Sequence, residues 1–301
     1  MNKIINQARK CLLVVFASVL FTGVASSQNF LNFEEPYRIK DDQMIKNSKN
    51  EFESWGVGGF GDFKIYTKQG KIEKRISKSD LNSIYVFDDQ KAFVTGTAGE
   101  LLFTKDRGEN WQKIKLDTKV DLTSIFWLDE NTCWVVGNKD GVFISGGINK
   151  GWKLEKIVSD RKFEDVYFVN EKVGFAVGEN NLLLKTDNGG KYWTRISLSY
   201  ETSVGQFFDG VFWFEAVSFL NEKVGCVTGW DVGKGIVACT KDQGKTWKTT
   251  LFDSEHFIGI VWTNKKEAHL IGEYGRNFFS KDLGITWVKV KGKQHYSKEI
   301  K

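Results

Sequence analysis

The string TKDQGKTW at residues 240–247 is polar, has a glycine near its middle and ends in a tryptophan. It recurs along the chain as TKDRGENW at 104–111, TDNGGKYW at 186–193 and SKDLGITW at 280–287, with a degraded copy, SGGINKGW, at 145–152. The terminal tryptophans follow one another at steps of 41, 41, 54 and 40 residues. A period near 41 residues is typical of a repeat architecture, so the string marks a unit that the chain builds several times.

Each unit has the same succession of four segments. An apolar segment such as SIYVF or DVYFV comes first, a second ends in a glycine, a third runs into the repeated string, and a fourth follows it. The chain has 30 glycines and a single proline, a balance that favours short strands joined by tight turns. Four strands in about 40 residues predict one blade of a β-propeller, and hence an all-β fold.

Six such blades are predicted. Gly58 in SWGVGG opens a unit before the first complete string, and Glu73 stands there in place of the tryptophan. The blades are expected at about 40–75, 81–117, 122–158, 163–198, 214–251 and 257–291, so that the propeller covers 40–291 and a tail covers 292–301. Residues 28–39 are candidates for a closing strand, and seven blades stay open as an alternative.

The residue types within the repeated string favour a structural role. An Asp or Asn side chain accepts hydrogen bonds from backbone N–H groups just downstream, the glycine adopts a positive φ, and the tryptophan buries a large ring. Asn188 replaces the acid in one copy, a tolerance that argues against catalysis. The residues assigned this role are Asp106, Trp111, Asn188, Trp193, Asp242, Trp247, Asp282 and Trp287.

These strings resemble Asp-boxes, also called bacterial neuraminidase repeats, which occur in sialidases, sortilin-type receptors and exported propellers. The wider pattern VxFxxxxxGxxVGxxGxxxxTxDxGxxW resembles the photosystem II assembly and stability factor family. That resemblance covers about 40–291 and implies an exported or lumenal propeller without catalysis. The family is noted for an arginine-rich patch, whereas this chain has only six arginines after residue 27, so a shared partner does not follow.

The N-terminal 27 residues have the pattern of a secretory signal peptide. Lys3, Arg9 and Lys10 precede the apolar run CLLVVFASVLF, and small residues follow it up to Ser27, where cleavage is expected. The run is short for a membrane span, although an uncleaved anchor is the alternative. Without these three cations the chain has 40 basic and 38 acidic residues, which leaves no basic footprint for nucleic acid. We expect a secreted or periplasmic protein without a transmembrane span in its mature form.

Enzymatic activity is not expected from the sequence. Sialidases clamp the substrate carboxylate with three arginines, and only Arg161 and Arg276 fall in loops of the face expected to bind ligands. A glycosidase with two carboxylates is the runner-up, and its candidate loop acids are Asp62, Glu100, Asp140, Glu179, Asp231 and Glu273. The three histidines are isolated and no CxxC motif exists, so neither a metal site nor a cofactor is expected.

The long step before Trp247 indicates where function would lie. About ten of its 13 additional residues fall in the loop at 199–213 and three in the hairpin GWDVGKG, on the face opposite the boxes. Clustered aromatics mark interaction sites, so this insertion predicts a protein partner, with a glycan as the alternative. The structural alternative is a loop that folds over the channel mouth and buries its rings. The candidate contact residues are Tyr200, Phe207, Phe208, Phe212, Trp213, Trp230, Asp231, Lys234, Tyr274 and Arg276.

Cys226 and Cys239 lie symmetrically about the centre of that hairpin, which would place them opposite each other on two strands. A disulfide and a pair of small core residues are both consistent with this spacing.

Overall fold

The repeats fold into six sheets of four antiparallel strands within the part of the chain that the structure describes. The structure is a computed structural model, and it describes residues 39–138, 142–148, 150–156, 160–199, 210–263 and 265–290. The predicted all-β propeller and its six blades are thereby confirmed. None of the helical turns in these ranges has the length and hydropathy of a membrane-spanning helix.

Each blade runs from an inner strand to an outer strand in sequence order. The first three blades consist of β1 (Ile39–Lys46), β2 (Phe52–Gly58), β3 (Asp62–Thr67), β4 (Gly70–Arg75); β5 (Leu81–Val86), β6 (Ala92–Gly96), β7 (Leu101–Thr104), β8 (Gln112–Lys113); and β9 (Leu122–Asp129), β10 (Thr132–Gly137), β11 (Val142–Gly147), β12 (Gly151–Lys156). The last three consist of β13 (Phe163–Phe168), β14 (Gly174–Gly178), β15 (Leu182–Thr186), β16 (Thr194–Arg195); β17 (Trp213–Phe219), β18 (Gly225–Asp231), β19 (Lys234–Thr240), β20 (Lys248–Asp253); and β21 (Phe257–Trp262), β22 (Ala268–Gly272), β23 (Phe278–Ser280), β24 (Val288–Lys289).

In the second to fifth blades, the glycine that ends the second strand is required by the close approach of the chain where the inner strand begins. Gly178 pairs with Phe163, and the register then shifts by one residue before Asp165. A Cβ atom at Gly178 would collide with the carbonyl oxygen of Lys162. In these four blades the recurrent glycine of the sequence pattern therefore permits the bulge at which the inner strand enters its blade.

The box tryptophans Trp111 and Trp247 pack between blades, as the burial argument predicts. Trp247 of the fifth blade meets Phe175 of the fourth edge-on, with ring centroids 6.0 Å apart. Trp111 of the second blade meets Phe63 of the first in the same way, at 5.1 Å. Each of these boxes thus packs against the preceding blade, where its ring joins the apolar core between the two sheets.

The box aspartates brace the turn before the tryptophan. Asp242 Oδ1 accepts the backbone N–H of Lys245 at 3.0 Å and of Thr246 at 2.9 Å, and the hydroxyl of Thr240 at 2.8 Å. Hydrogen bonds from the Thr246 side chain and backbone lower the pKa of Asp242 from 3.8 to about 2. The following Gln243 and Gly244 both have positive φ, at 63° and 79°. The predicted turn chemistry holds, with one left-handed residue more than the pattern suggested.

Polar side chains also tie neighbouring blades together. Asp165 of the fourth blade accepts the Ser124 hydroxyl of the third at 2.7 Å and the Val217 N–H of the fifth at 3.0 Å. Arg107 of the second blade forms a two-pronged ion pair with Glu53 of the first, at 2.9 and 2.7 Å. These carboxylates are fully engaged as braces between blades, which gives them a structural role.

The structure joins Cys226 and Cys239 in a disulfide across β18 and β19, where the two residues are directly paired. Gly284 of the sixth-blade box lies over both sulfur atoms, since a Cβ atom there would collide with Cys239 Sγ. The bond therefore lies within the contact between the fifth and sixth blades. Cys133 is free and buried, and burial raises the pKa of its thiol well above the usual value.

Candidate partner-binding face

The turns of the propeller lie on two faces. On one face, which we call the loop face, the hairpins between second and third strands meet the segments that lead from each fourth strand to the next blade. The N–H of Phe60 in the first-blade hairpin donates to Asp80 at 2.8 Å, and that of Ala98 in the second donates to Asp121 at 2.9 Å. The Asp-boxes, which join third and fourth strands, lie at the opposite end of each blade and form the box face.

Two tryptophans and a histidine form a cluster on the loop face of the fifth and sixth blades. Trp213 and Trp230 are paired residues of β17 and β18, and their rings meet edge-on at 5.1 Å. The His256 ring lies 4.0 Å from that of Trp230 on the other side. Trp230 Nε1 donates to Glu215 Oε1 at 3.1 Å, so the indole is held by a polar contact as well as by packing. We call Trp213, Trp230, Glu215 and His256 the aromatic cluster.

Trp213 is the exposed member of the aromatic cluster. Its side chain is 41% exposed, although it sits on a strand paired along its whole length with β18. In the adjoining hairpin, Val232 is 90% exposed. The cluster therefore presents apolar surface to solvent from a rigid part of the sheet rather than from a free loop.

Charged groups surround the cluster. His256 Nδ1 lies 3.0 Å from Glu273 Oε2, and the Glu273 N–H donates to the His256 carbonyl at 3.0 Å. Lys234 Nζ lies 2.6 Å from Asp253 Oδ1. The rim thus contains polar and charged side chains of both signs rather than one dominant charge, and exposed charge pairs such as Lys234–Asp253 contribute specificity more than affinity.

The two loop arginines considered for a carboxylate clamp, Arg161 and Arg276, donate hydrogen bonds to nearby backbone carbonyls instead. Arg276 Nη1 donates to the Ser254 carbonyl at 2.7 Å, and Arg161 Nη1 donates to the Asn180 carbonyl at 2.6 Å. Each guanidinium is occupied within its own blade connection, so the two do not converge on one point as a carboxylate clamp requires. Among the described residues, no group of three or more His, Cys, Asp or Glu side chains is arranged to hold a metal ion.

The structure places five of the predicted contact residues together on the loop face and buries another in the core. Trp213, Trp230, Asp231, Lys234 and Arg276 lie on the same part of the loop face. Phe212 does not present its ring there, because its side chain is fully buried in the core between blades. Tyr200, Phe207 and Phe208 lie outside the described residues, as does the side chain of Tyr274.

Phe212 is buried because its backbone is anchored. Its N–H donates to Asn181 Oδ1 at 2.8 Å, and its carbonyl accepts the Asn181 N–H at 2.8 Å. These bonds fix the end of the insertion against the hairpin of the fourth blade and turn the ring inward, next to Phe214 at 6.5 Å. Counting aromatic residues in the insertion could not show this, because burial here depends on a contact with a residue 31 positions away.

Sequence reasoning missed three residues of this face. Glu215 and His256 complete the aromatic cluster, yet a single acid at the start of a strand and an isolated histidine carry no motif. Phe60 is 62% exposed at the tip of the first-blade hairpin. Its position between two glycines, in the string GFG, was the available signal.

Comparison with known proteins agrees with the fold and the repeat. Residues 144–292, about half of the chain, match the family described as photosynthesis system II assembly factor YCF48. Among solved structures, YCF48 bound to D1 peptide is 15% identical, with a TM-score of 0.56, covering 76% of this chain and 74% of that one. YCF48 from Cyanidioschyzon merolae is 18% identical, with a TM-score of 0.60, covering 82% and 84%. No curated protein sequence matches the chain.

A propeller of another class shows that a similar TM-score does not by itself indicate a related function. The WD40 repeats of RRP9 align with a TM-score of 0.58 at 9% identity, over 76% of this chain and 72% of that one. This value is close to those of the two YCF48 structures, so likeness at this level shows the propeller fold alone. The family match and the boxes are what relate this chain to YCF48.

Proposed function

We propose that this chain, a photosystem II assembly factor-like propeller with Asp-box repeats, is an exported, non-enzymatic module that binds a protein partner through its loop face. The matching family is named for an assembly factor, and a YCF48 structure with the same fold holds a peptide of D1. Those comparisons support protein binding as the kind of activity. The arginine content of this chain gives no reason to carry over the same partner.

The observation that carries the proposal is the half-exposed Trp213 beside Trp230. An exposed indole is unfavourable in water, and half-exposed tryptophans at well-ordered positions are typical centres of protein interfaces. Pairing in β17 and β18 and the contacts of Trp230 with Glu215 and His256 hold both rings in place before a partner arrives. Little side-chain entropy then remains to be lost on binding.

The proposed contact surface consists of Trp213, Trp230, Asp231, Lys234 and Arg276, with Tyr200, Phe207, Phe208 and Tyr274 as further candidates. The mixed charges of its rim suit a polar partner surface of both signs. A glycan stacked on Trp213 is the second candidate, since sugar rings also pack on exposed indoles. Hydrolysis of that glycan is not part of the proposal.

The test is chemical cross-linking and affinity capture from a cell-envelope fraction with the purified mature chain. Trp213→Ala is the test variant, and Tyr192→Ala is its control, because Tyr192 is 78% exposed on the box face. We expect Trp213→Ala to lose a specific protein partner that Tyr192→Ala retains. An identical set of captured proteins with both variants would contradict the proposed surface, and capture of glycan alone would favour the second candidate.

Export is tested separately. N-terminal sequencing of the protein recovered from the native host is expected to begin at Gln28, after cleavage near Ser27. Recovery of an uncleaved chain in the membrane fraction would instead support the anchor.

A further inference from the structure

Phe60 occupies a conformation that suits its residue type poorly. It lies at the tip of the turn Gly59–Gly61 between β2 and β3, with φ 57° and ψ 23°. This left-handed region is unfavourable for residues with a Cβ atom and is rare for bulky ones. The ring is also 62% exposed, so little burial offsets the strain.

The turn does not require a phenylalanine. Ala98 holds the same place in the second-blade hairpin, with φ 57° and ψ 36°, and donates its N–H to a loop aspartate as Phe60 does. In the fourth blade the left-handed position is taken by Asn180, at φ 54°. The turn and its aspartate therefore fix the backbone of these hairpins. An alanine or an asparagine is compatible with that backbone, so the large ring of Phe60 is not needed to form it.

The ring does not contribute to the core of the first blade either. The buried cluster there is formed by residues such as Trp55, Val57 and Phe63, and Phe60 is not part of it. A large exposed aromatic side chain on a strained backbone, with no packing role, is the combination found where strain is retained for contact with another molecule.

Unpaired cations lie beside the tip. The turn packs against the segment that follows β4, because a Cβ atom at Gly61 would collide with the backbone of Ser77. Arg75, the last residue of β4, and Lys78, on the segment after it, are exposed and form no ion pair with the described residues. Two acids lie in the same region. Asp80, whose Oδ1 accepts the Phe60 N–H, is paired with Lys40 at 3.0 Å, and Asp62, the cross-strand partner of Arg75, is buried. The exposed charges next to Phe60 are therefore positive on balance, because Arg75 and Lys78 are exposed while Asp62 is buried.

We propose that Phe60, with Arg75 and Lys78, is a second contact site on the loop face, for a polypeptide segment that presents an apolar side chain next to a carboxylate. This inference shares one premise with the proposed function, namely that the loop face binds protein. The position lies in the first blade, away from the aromatic cluster of the fifth and sixth. A partner that spans both sites would contact the face at two separate points.

The probe is a random peptide display library selected on the immobilised mature chain, followed by fluorescence anisotropy with the enriched peptides. We expect enrichment of peptides with an aromatic or large aliphatic residue adjacent to Asp or Glu. Phe60→Gly should weaken their binding at least tenfold, and Lys78→Glu should weaken it as well. Ala98→Gly, the same change at the equivalent turn of the second blade, should leave binding unchanged.

Thermal unfolding of the same variants separates contact from folding. Glycine and asparagine are compatible with φ 57°, so Phe60→Gly and Phe60→Asn should leave the unfolding temperature unchanged or higher. A fall of several degrees would show that the ring serves the fold, and would overturn the proposal. So would an absence of enriched peptides, or peptides that bind Phe60→Gly as they bind the wild type.

A Trp213→Ala variant in the same assay distinguishes the two proposals. Peptides that depend on Trp213 and not on Phe60 would overturn this inference and leave the proposed function standing. Peptides that are insensitive to both residues would contradict both.

Discussion

Replacing Asp242 with asparagine removes the charge of one box brace while keeping most of its shape. Asn188, in the box of the fourth blade, shows that an amide oxygen makes the same bonds, at 2.9 Å to the Tyr192 N–H and 2.9 Å to the Thr186 hydroxyl. What Asp242→Asn loses is the second carboxylate oxygen, which accepts the Thr246 hydroxyl, and the stronger hydrogen bonds of a charged acceptor. The variant therefore measures the contribution of the charge.

The pKa gives the magnitude and the sign. The carboxyl pKa falls from 3.8 to about 2 on folding, and one pKa unit corresponds to about 1.4 kcal/mol. The whole shift would correspond to roughly 2.5 kcal/mol, and solvent screening at this partly exposed site reduces it to about 1 kcal/mol. Because the folded pKa is lowered, this stability is fully present above pH 3.8 and is lost as pH falls towards 2.

The assay is urea unfolding of the wild type and Asp242→Asn at a series of pH values from 7 to the lowest at which both remain folded. We expect the variant to be less stable by about 1 kcal/mol at pH 7, and the difference to shrink below pH 4. Asp160→Asn is the control, because Asp160 is highly exposed and should change stability by less than about 0.5 kcal/mol. A difference that does not vary with pH, or a variant as stable as the wild type at pH 7, would refute this account of the box.

Two further predictions concern the links between and within blades. Arg107→Met leaves the fully buried Glu53 carboxylate without its cation, so the free energy of unfolding, measured by chemical denaturation, should fall by about 3 kcal/mol. The double variant with Glu53→Gln should recover part of that loss. Reduction should raise the intact mass by two hydrogen atoms if Cys226 and Cys239 are joined, and Cys226→Ser should cost about 3 kcal/mol of stability by the chain-entropy relation; an unchanged mass would contradict the disulfide.

Sequence reasoning reached what depends on local chemistry. The Asp-box is a short-range device, in which Asp242 braces the four residues after it, so its residue types and spacing reveal its geometry. The blade count follows from repetition of that device. The sequence could place Cys226 and Cys239 opposite each other across a hairpin, but it could not distinguish a disulfide from two packed thiols, because both arrangements put the cysteines at paired positions of two strands.

What escaped the sequence depends on contacts between blades. Arg107 occupies a variable position of its box, and its ion pair with Glu53 joins residues 54 positions apart. The same holds for Phe212, whose burial depends on Asn181, and for His256, which is next to Trp230 only because β21 follows β17 around the ring. The spacing of residues within one blade does not show which side chains of the next blade they contact.

The two faces of the propeller differ in what their turns demand of the side chains. On the box face the acid, the glycine and the tryptophan each make a contact that the fold needs, so substitution there is costly. On the loop face the hairpins of Phe60, Ala98 and Asn180 share a left-handed backbone, while their side chains differ in size and polarity. The fold therefore does not require a particular side chain at these tips, which leaves the side chain free to serve binding. An aromatic ring at such a position is better explained by contact with a partner than by folding.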